Sequence, residues 1–451
     1  MFVSSDEIRT RFSCAMSTMY RREVPLYGDL LDLIADVNRQ ALARRSPDRP
    51  ESGSHRLEVE RHGAIRLGTA GELQGMREVL AIMGMQPVGY YDLSVAGVPV
   101  HATAFRPVGA KALESNPFRL FTSLLRLELI ADPALRAQAR GLLDRRRIFS
   151  NRLLELVALH QAQSGLLPGQ AQEFVAEALK TFQWHGESMV SKAQYTRMHA
   201  AHRLIADVVC FGNPHINHLT PRTLDIDAAQ EAMIRRGIPA KDTIEGPPAR
   251  SHPILLRQTS FKALEEPVRF SPACGEGVHT ARFGEIEQRG QALTRKGRAL
   301  YDRLLKQAGS TAAGLAEAFS AFPDDLRAIR SAGLGFFHYV LTPAGQAALA
   351  SHAQVFQLER WLADGWVAAT PITYEDFLPV SAAGIFQSNL GDGRSPGDSS
   401  AGGANQAAFE AALGAPVLDQ FSLYEAQEAA SIAVIEATAS RARPARAPGA
   451  C

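Results

Sequence analysis

Residues 59–106 read VERHGAIRLGTAGELQGMREVLAIMGMQPVGYYDLSVAGVPVHATAFR, and this stretch decides the fold class. Val59–Leu67 has the apolar content and length of a strand, Ala70–Met83 has helical periodicity, and Pro87–Leu93 and Val98–Phe105 return to extended patterns. Gly84, Gly89 and Gly97 punctuate the changes of direction. Strand, helix, strand, strand within fifty residues or so reads as a β-rich unit with one helix, compatible with an α+β architecture.

The flanks are helical in character. Asp29–Leu42 puts Leu30, Leu33, Ile34 and Val37 on one stripe, while Pro47–His55 is a polar loop. Residues 117–206 are expected to form a helical insertion, with helices at Leu120–Ile130, Ala134–Arg147, Asn151–Ala162 and Gln170–Thr181. A second β-rich stretch covers about 205–290, so a strand–helix–strand–strand unit occurring twice is the repeat to look for. Helices resume over Ala292–Phe322. Residues 371–390 mix extended and turn signals and are read as part of the β-rich core. Asp392–Asn405 is a loop by composition. The expected organisation is one catalytic domain over 1–440, followed by an Arg/Ala/Pro tail, 441–451, expected to be disordered.

Composition excludes several classes. The net charge is +1, which provides no field for nucleic acid or an anionic membrane, and no apolar run has the length of a membrane span. Met1–Phe12 carries Asp6 and Glu7 and lacks the apolar core of a secretory signal. The four cysteines, Cys14, Cys210, Cys274 and Cys451, are scattered, as reduced thiols in a cytoplasmic protein would be. There is no P-loop, no G-x-G-x-x-G between strand and helix, no H-E-x-x-H and no G-x-S-x-G.

Four strings carry candidate chemistry: Arg61–Arg66 (RHGAIR), Pro214–Arg222 (PHINHLTPR), His279–Glu287 (HTARFGEIE) and Asp376–Gly384 (DFLPVSAAG). Two neutral imidazoles and one carboxylate on one side of a metal leave three positions open, the arrangement used by non-haem iron(II) oxygenases. The first three strings hold those ligand types. Side chains alternate along a strand, so His62 and Arg66 share a face, whereas His215 and His218 point apart and only one should ligate. Glu285 and Glu287 share a face, and one should dominate. His279 lies on that face if the segment is extended, making it a candidate for supporting a ligand. The plainer readings are hydrogen-bonded structural histidines and a surface salt-bridge pattern around Glu285–Arg289.

Taken together the strings resemble the 2-oxoadipate dioxygenase/decarboxylases of the vicinal oxygen chelate superfamily. The resemblance extends over Val24–Gly28, Met83–Asp92, Phe121–Arg126, Pro214–Asp225, His252–Lys262, His279–Gly290 and Tyr374–Asn389. It implies a curved mixed β-sheet metal cup wrapped by helices. It further implies that His62, His218 and Glu285 hold Fe(2+), that Arg66 anchors the substrate, and that the backbone at Val380 and Ser381 contacts it. The implied reaction, a step of lysine breakdown, uses O2 to convert 2-oxoadipate to 2-hydroxyglutarate and CO2. A metal-dependent lyase or isomerase of the same fold, and a scaffold with structural histidines, are the rival classes.

Overall fold

The structure is a computed structural model and describes residues 1–44, 56–271, 275–308, 311–351, 355–378 and 402–441. The chain divides into two compact units. The first comprises residues 1–246, 257–288 and 376–418; the second comprises 247–256, 289–375 and 419–451.

The first unit is built on the stretch that opened the sequence analysis. Strand β1 (Arg61–Leu67) is followed by a helix at Ala70–Ile82, then β2 (Gln86–Asp92), β3 (Val100–Arg106) and β4 (Arg119–Leu125). The helix starts where Thr69 accepts a hydrogen bond from the Glu72 amide at 3.2 Å, satisfying one of the first-turn donors. After β5 (Glu187–Ser188) come β6 (Ile216–Pro221), a helix at Ile226–Arg235, β7 (Leu256–Ser260), β8 (Glu265–Phe270), β9 (Gly275–Thr280) and β10 (Phe283–Arg289). Strands β5, β8 and β9 form a small sheet of their own.

The main sheet has seven strands in the order β2-β3-β4-β1-β6-β10-β7. It is mixed: β1 runs parallel to β4, β6 runs parallel to β10, and β1 and β6 are antiparallel. Each half therefore begins with a strand at the centre (β1 or β6), passes through a helix and an outer strand, and returns beside its own first strand. That is the divergent repeat. The sheet curls into a half-barrel with the two first strands at its middle, as the α+β, curved-sheet expectation required.

Alternation along β1 sorts its residues. Ile65 and Leu67 enter the hydrophobic core, where Leu30, Leu33, Ile34 and Val37 of the helix Pro25–Ala43 also lie, as their stripe predicted. His62, Ala64 and Arg66 take the opposite face. The pairing of β1 with β6 shifts between Ala64, opposite His218, and Ile65, opposite Ile216. Asn217 is the extra residue, a β-bulge that re-aims the start of β6. Gly284 on β10 permits a close approach: a Cβ there would lie 2.2 Å from the Phe261 ring and 2.9 Å from Leu30.

Two readings of the sequence are corrected. Leu120–Ile130 is not a helix; β4 occupies Arg119–Leu125 and a short 3-10 turn follows at Leu127–Leu129. All seven residues of β4 are buried, so no alternation marks it, and a short apolar run has no period that separates strand from helix. Gly402–Asn405, assigned to a loop, begins a helix that runs to Leu413. The remainder of that loop, the Pro47–His55 loop and the tail from 442 lie outside the described residues.

The second unit is mostly helical. Its helices include Arg295–Gln307, Leu326–Ser331 and Gln420–Arg441, and an antiparallel pair, Phe337–Leu341 with Val367–Pro371, supplies its strands. No helix among the described residues is long and apolar enough to cross a membrane.

Candidate metal centre

Three adjacent strands bring His62 (β1), His218 (β6) and Glu285 (β10) together. Their ligand atoms all lie within 4.8 Å of one another, and all three residues are buried. The register explains why. His62 stands opposite Thr220, and Ala64 opposite His218, so both imidazoles and Thr220 share a face. Pairing of β10 with β6, Phe283 beside His218 and Gly284 beside Leu219, carries Glu285 onto that face as well. His62 Nε2 and His218 Nε2 each lie 3.2 Å from Glu285 Oε2. The two rings meet edge to face, with centroids 5.4 Å apart.

The carboxylate is held in place by neutral donors. Thr220 Oγ1 donates to Glu285 Oε2 at 3.0 Å, and Gln258 Nε2 donates to Oε1 at 2.8 Å. No Arg or Lys among the described residues pairs with Glu285. The outer nitrogen of His62, Nδ1, lies 2.9 Å from Glu287 Oε2, which fixes the ring and leaves Nε2 facing inward. Behind Glu287, Arg119 and Arg222 converge on Glu60, at 2.9 and 3.0 Å. Both glutamates of the third string are thus used, one toward the imidazoles and one behind them.

These residues fit a divalent metal. His218 Nδ1 is buried without a hydrogen-bond partner and Nε2 has only its 3.2 Å approach to Glu285, a costly state for a polar group unless a ligand completes it. Burial, reinforced by the charges of His62 and Arg66, pushes His218 well below the usual imidazole range, so it is neutral and has a lone pair to give. Burial opposes protonation of His62 too, but Glu287 and Glu285 outweigh it and raise its pKa. Two nitrogens and one oxygen make a donor set suited to iron, manganese or a similar first-row ion.

The other candidates fall beside this centre. Arg66 Nη1 lies 2.6 Å from Asp207 Oδ2. His215 and His279, neither of them in the triad, gather with Asp207 in a second buried cluster. Burial drives His215 down to about 3, against the pull of Asp207. A cavity of about 470 Å³ runs alongside, lined by Arg66, Arg203, Lys241 and Lys262 together with Asp207 and Asp242. Phe283 lines it as well and packs on the His218 ring at 4.9 Å between centroids. From the fourth string, Phe377 covers His62 at 4.9 Å; Val380 and Ser381 lie outside the described residues.

Sequence reasoning missed Asp207. It lies in the seven-residue helix Arg203–Val209, inside a stretch read as β-rich, and six of that helix's residues are buried. Gln258 and Thr220 were also missed. Thr220 had a signal, since it lies two residues from His218 and therefore on the same face of a strand.

A curled mixed sheet that places two imidazoles and a carboxylate on three neighbouring strands defines a protein that could hold a metal ion there. The chain belongs to the 2-oxoadipate dioxygenase/decarboxylase family, whose profile matches residues 12–389. It is 54% identical over 450 residues to the 2-oxoadipate dioxygenase/decarboxylase of Pseudomonas putida, covering 96% of each chain. To that of Escherichia coli it is 55% identical over 445 residues, covering 94% of this chain and 97% of the other. The solved structure of the Pseudomonas putida hydroxyglutarate synthase in complex with 2-oxoadipate superposes with a TM-score of 0.89 at 52% identity, over 97% of this chain and 99% of that one.

Proposed function

We propose that this chain is an iron(II)-dependent dioxygenase that converts 2-oxoadipate and O2 to 2-hydroxyglutarate and CO2. The observation that carries the reading is the buried His62–His218–Glu285 triad, its ligand atoms all within 4.8 Å of one another. Full-length similarity to enzymes of that name supports the substrate. The net reaction balances without a separate reductant. Loss of the C1 carboxylate as CO2 and oxidation of one C–H bond supply the four electrons that O2 takes up. One oxygen atom enters the new carboxylate and the other the hydroxyl.

Bound iron(II) would supply open positions where a 2-oxo acid chelates and O2 is activated. The chain's own residues do the rest. Thr220 and Gln258 hold Glu285 through hydrogen bonds to its two oxygens, and Glu287 retains the proton on His62 Nδ1 so that Nε2 stays a donor. Arg66 takes the distal carboxylate through a charge-assisted pair, and four cations against two acids on the cavity wall favour a dianion. Phe261 and Phe283, also on that wall, suit the methylene chain and exclude water. Val380 and Ser381 are assigned backbone contacts to the substrate on the family resemblance.

The test is anaerobic loading with iron(II), followed by a panel of 2-oxo acids with O2 and CO2 measured together. Equal O2 uptake and CO2 release with 2-oxoadipate is the expected result. Turnover without O2 would replace this reading with a lyase or isomerase.

A further inference from the structure

The Asp207–His215–His279 cluster has no part in the reaction as described. It joins three distant segments: Asp207 on the helix Arg203–Val209, His215 just before β6, and His279 on β9. All three residues are buried. The two oxygens of Asp207 face different neighbours. Oδ1 lies 2.9 Å from His279 Nε2 and 3.4 Å from His215 Nε2. Oδ2 lies 2.6 Å from Arg66 Nη1 and 3.5 Å from Asn217 Nδ2. The imidazoles are themselves held. Tyr195 OH is 2.8 Å from His279 Nδ1, the Trp184 ring lies nearly parallel to His279 at 5.9 Å, and Asn217 Nδ2 is 3.2 Å from His215 Nε2.

The same atoms come close enough to grip a metal ion, but the charges argue otherwise. The guanidinium already neutralises Asp207, and a divalent cation on Oδ1 would sit against that positive charge. What the cluster does achieve is rigidity. Asp207 has a short side chain on a buried helix, with its oxygens held from two sides. Arg66 has a long side chain whose free rotation costs up to about 2 kcal/mol to freeze. A fixed carboxylate on one nitrogen sets the plane of the planar fork and so the direction in which it meets a second carboxylate.

We propose that Asp207, held by His279 and Asn217, is the positioning residue that orients Arg66 toward the distal carboxylate of the 2-oxo acid. The proposal rests on the reading of Arg66 as substrate anchor. The bulge at Asn217 fits it, because re-aiming the start of β6 brings Asn217 and His215 to Asp207 while His218 stays with the metal ligands.

The test uses the iron-loaded full chain and compares Asp207→Asn, Arg66→Ala and the double variant. Asp207→Asn is expected to raise KM for 2-oxoadipate about tenfold with kcat within about twofold, the signature of lost binding rather than lost chemistry. Iron content stays at the wild-type level, and turnover of the monocarboxylate 2-oxohexanoate is unchanged. In the double variant the loss should equal that of Arg66→Ala alone, because Asp207 acts only through Arg66. If Asp207→Asn does not accumulate as folded protein, His279→Gln reads the same KM shift at smaller size. Additive losses, or a fall in kcat with KM unchanged, would overturn the positioning role. So would a second equivalent of iron in the wild type that His279→Gln removes. Wild-type kinetics in Arg66→Ala would instead remove the substrate-anchor reading itself, a separate failure.

Discussion

Two clusters of two histidines and one acid lie in the same unit, both buried, and each with its ligand atoms within 4.8 Å. Residue type and burial do not tell them apart; hydrogen bonds and charge do. In the first, the Glu285 carboxylate is held by Thr220 and Gln258 and lies 3.2 Å from the Nε2 of each imidazole, and His218 Nδ1 has no hydrogen-bond partner. Its inward-facing lone pairs could hold a cation. In the second, Arg66 is that cation, and His279 is bonded at both nitrogens. A buried acid–histidine cluster is thus a candidate metal site where no guanidinium pairs with its acid, and a candidate scaffold where one does.

The sharpest way to break this comparison is to remove one imidazole from each cluster. His218→Ala deletes a ligand and should leave the purified protein with almost no iron and no detectable turnover. His62→Ala and Glu285→Ala should behave alike. His215→Ala should keep its iron at the wild-type level. Metal analysis of the desalted proteins decides it. An iron-free His215→Ala beside an active, iron-replete His218→Ala would exchange the roles of the two clusters.

The next effect is smaller and falls on substrate rather than metal. Arg66→Ala removes a charge-assisted hydrogen bond worth about 1.5–3 kcal/mol, so kcat/KM for 2-oxoadipate should fall about 10–100-fold with iron content intact. Arg66→Lys keeps the charge but loses the planar fork, and should recover only part of the loss. Steady-state kinetics on 2-oxoadipate and on a monocarboxylate of equal length check this. The monocarboxylate should be poor with the wild type and insensitive to either change.

Much of the first cluster was legible in the sequence, and little of the second. Strands β1 to β3 and the helix between β1 and β2 announce themselves because 59–106 changes period cleanly, and alternation within β1 puts His62 and Arg66 on one face. The choice between His215 and His218 was not legible from alternation alone. The bulge at Asn217 breaks the period of two between them, and a bulge leaves no local mark in that segment. Strand β4 was hidden by burial on both faces. Asp207 was hidden for a related reason: its partners Arg66 and His279 are 141 and 72 residues away, and a short buried helix has no polar face to reveal its period. Local patterns report which way a side chain points, and only the long-range register reports what it meets.

The smallest effects should come from the groups behind each imidazole. The outer nitrogen of His62 faces the carboxylate of Glu287 at 2.9 Å, whereas that of His279 faces the hydroxyl of Tyr195 at 2.8 Å. A carboxylate partner raises the basicity of a ligating imidazole, and replacing such a partner weakens metal binding by about 10–100-fold. Glu287→Gln keeps an acceptor oxygen for the His62 N–H, so the loss should be near the low end, about tenfold in iron affinity. Chelator competition on the purified variants reads it directly. Tyr195→Phe removes a neutral hydrogen bond and nothing else, since the ring keeps its packing against His279 and Phe270. It should cost about 0.5–1.5 kcal/mol of stability and leave iron affinity where it was. The two substitutions make a matched pair, each altering the partner of one buried imidazole. If Tyr195→Phe weakened iron binding as much as Glu287→Gln, the clusters would have to act as one metal centre. If only Glu287→Gln does so, the carboxylate behind His62 belongs to the metal centre and the hydroxyl behind His279 belongs to the framework that holds Asp207.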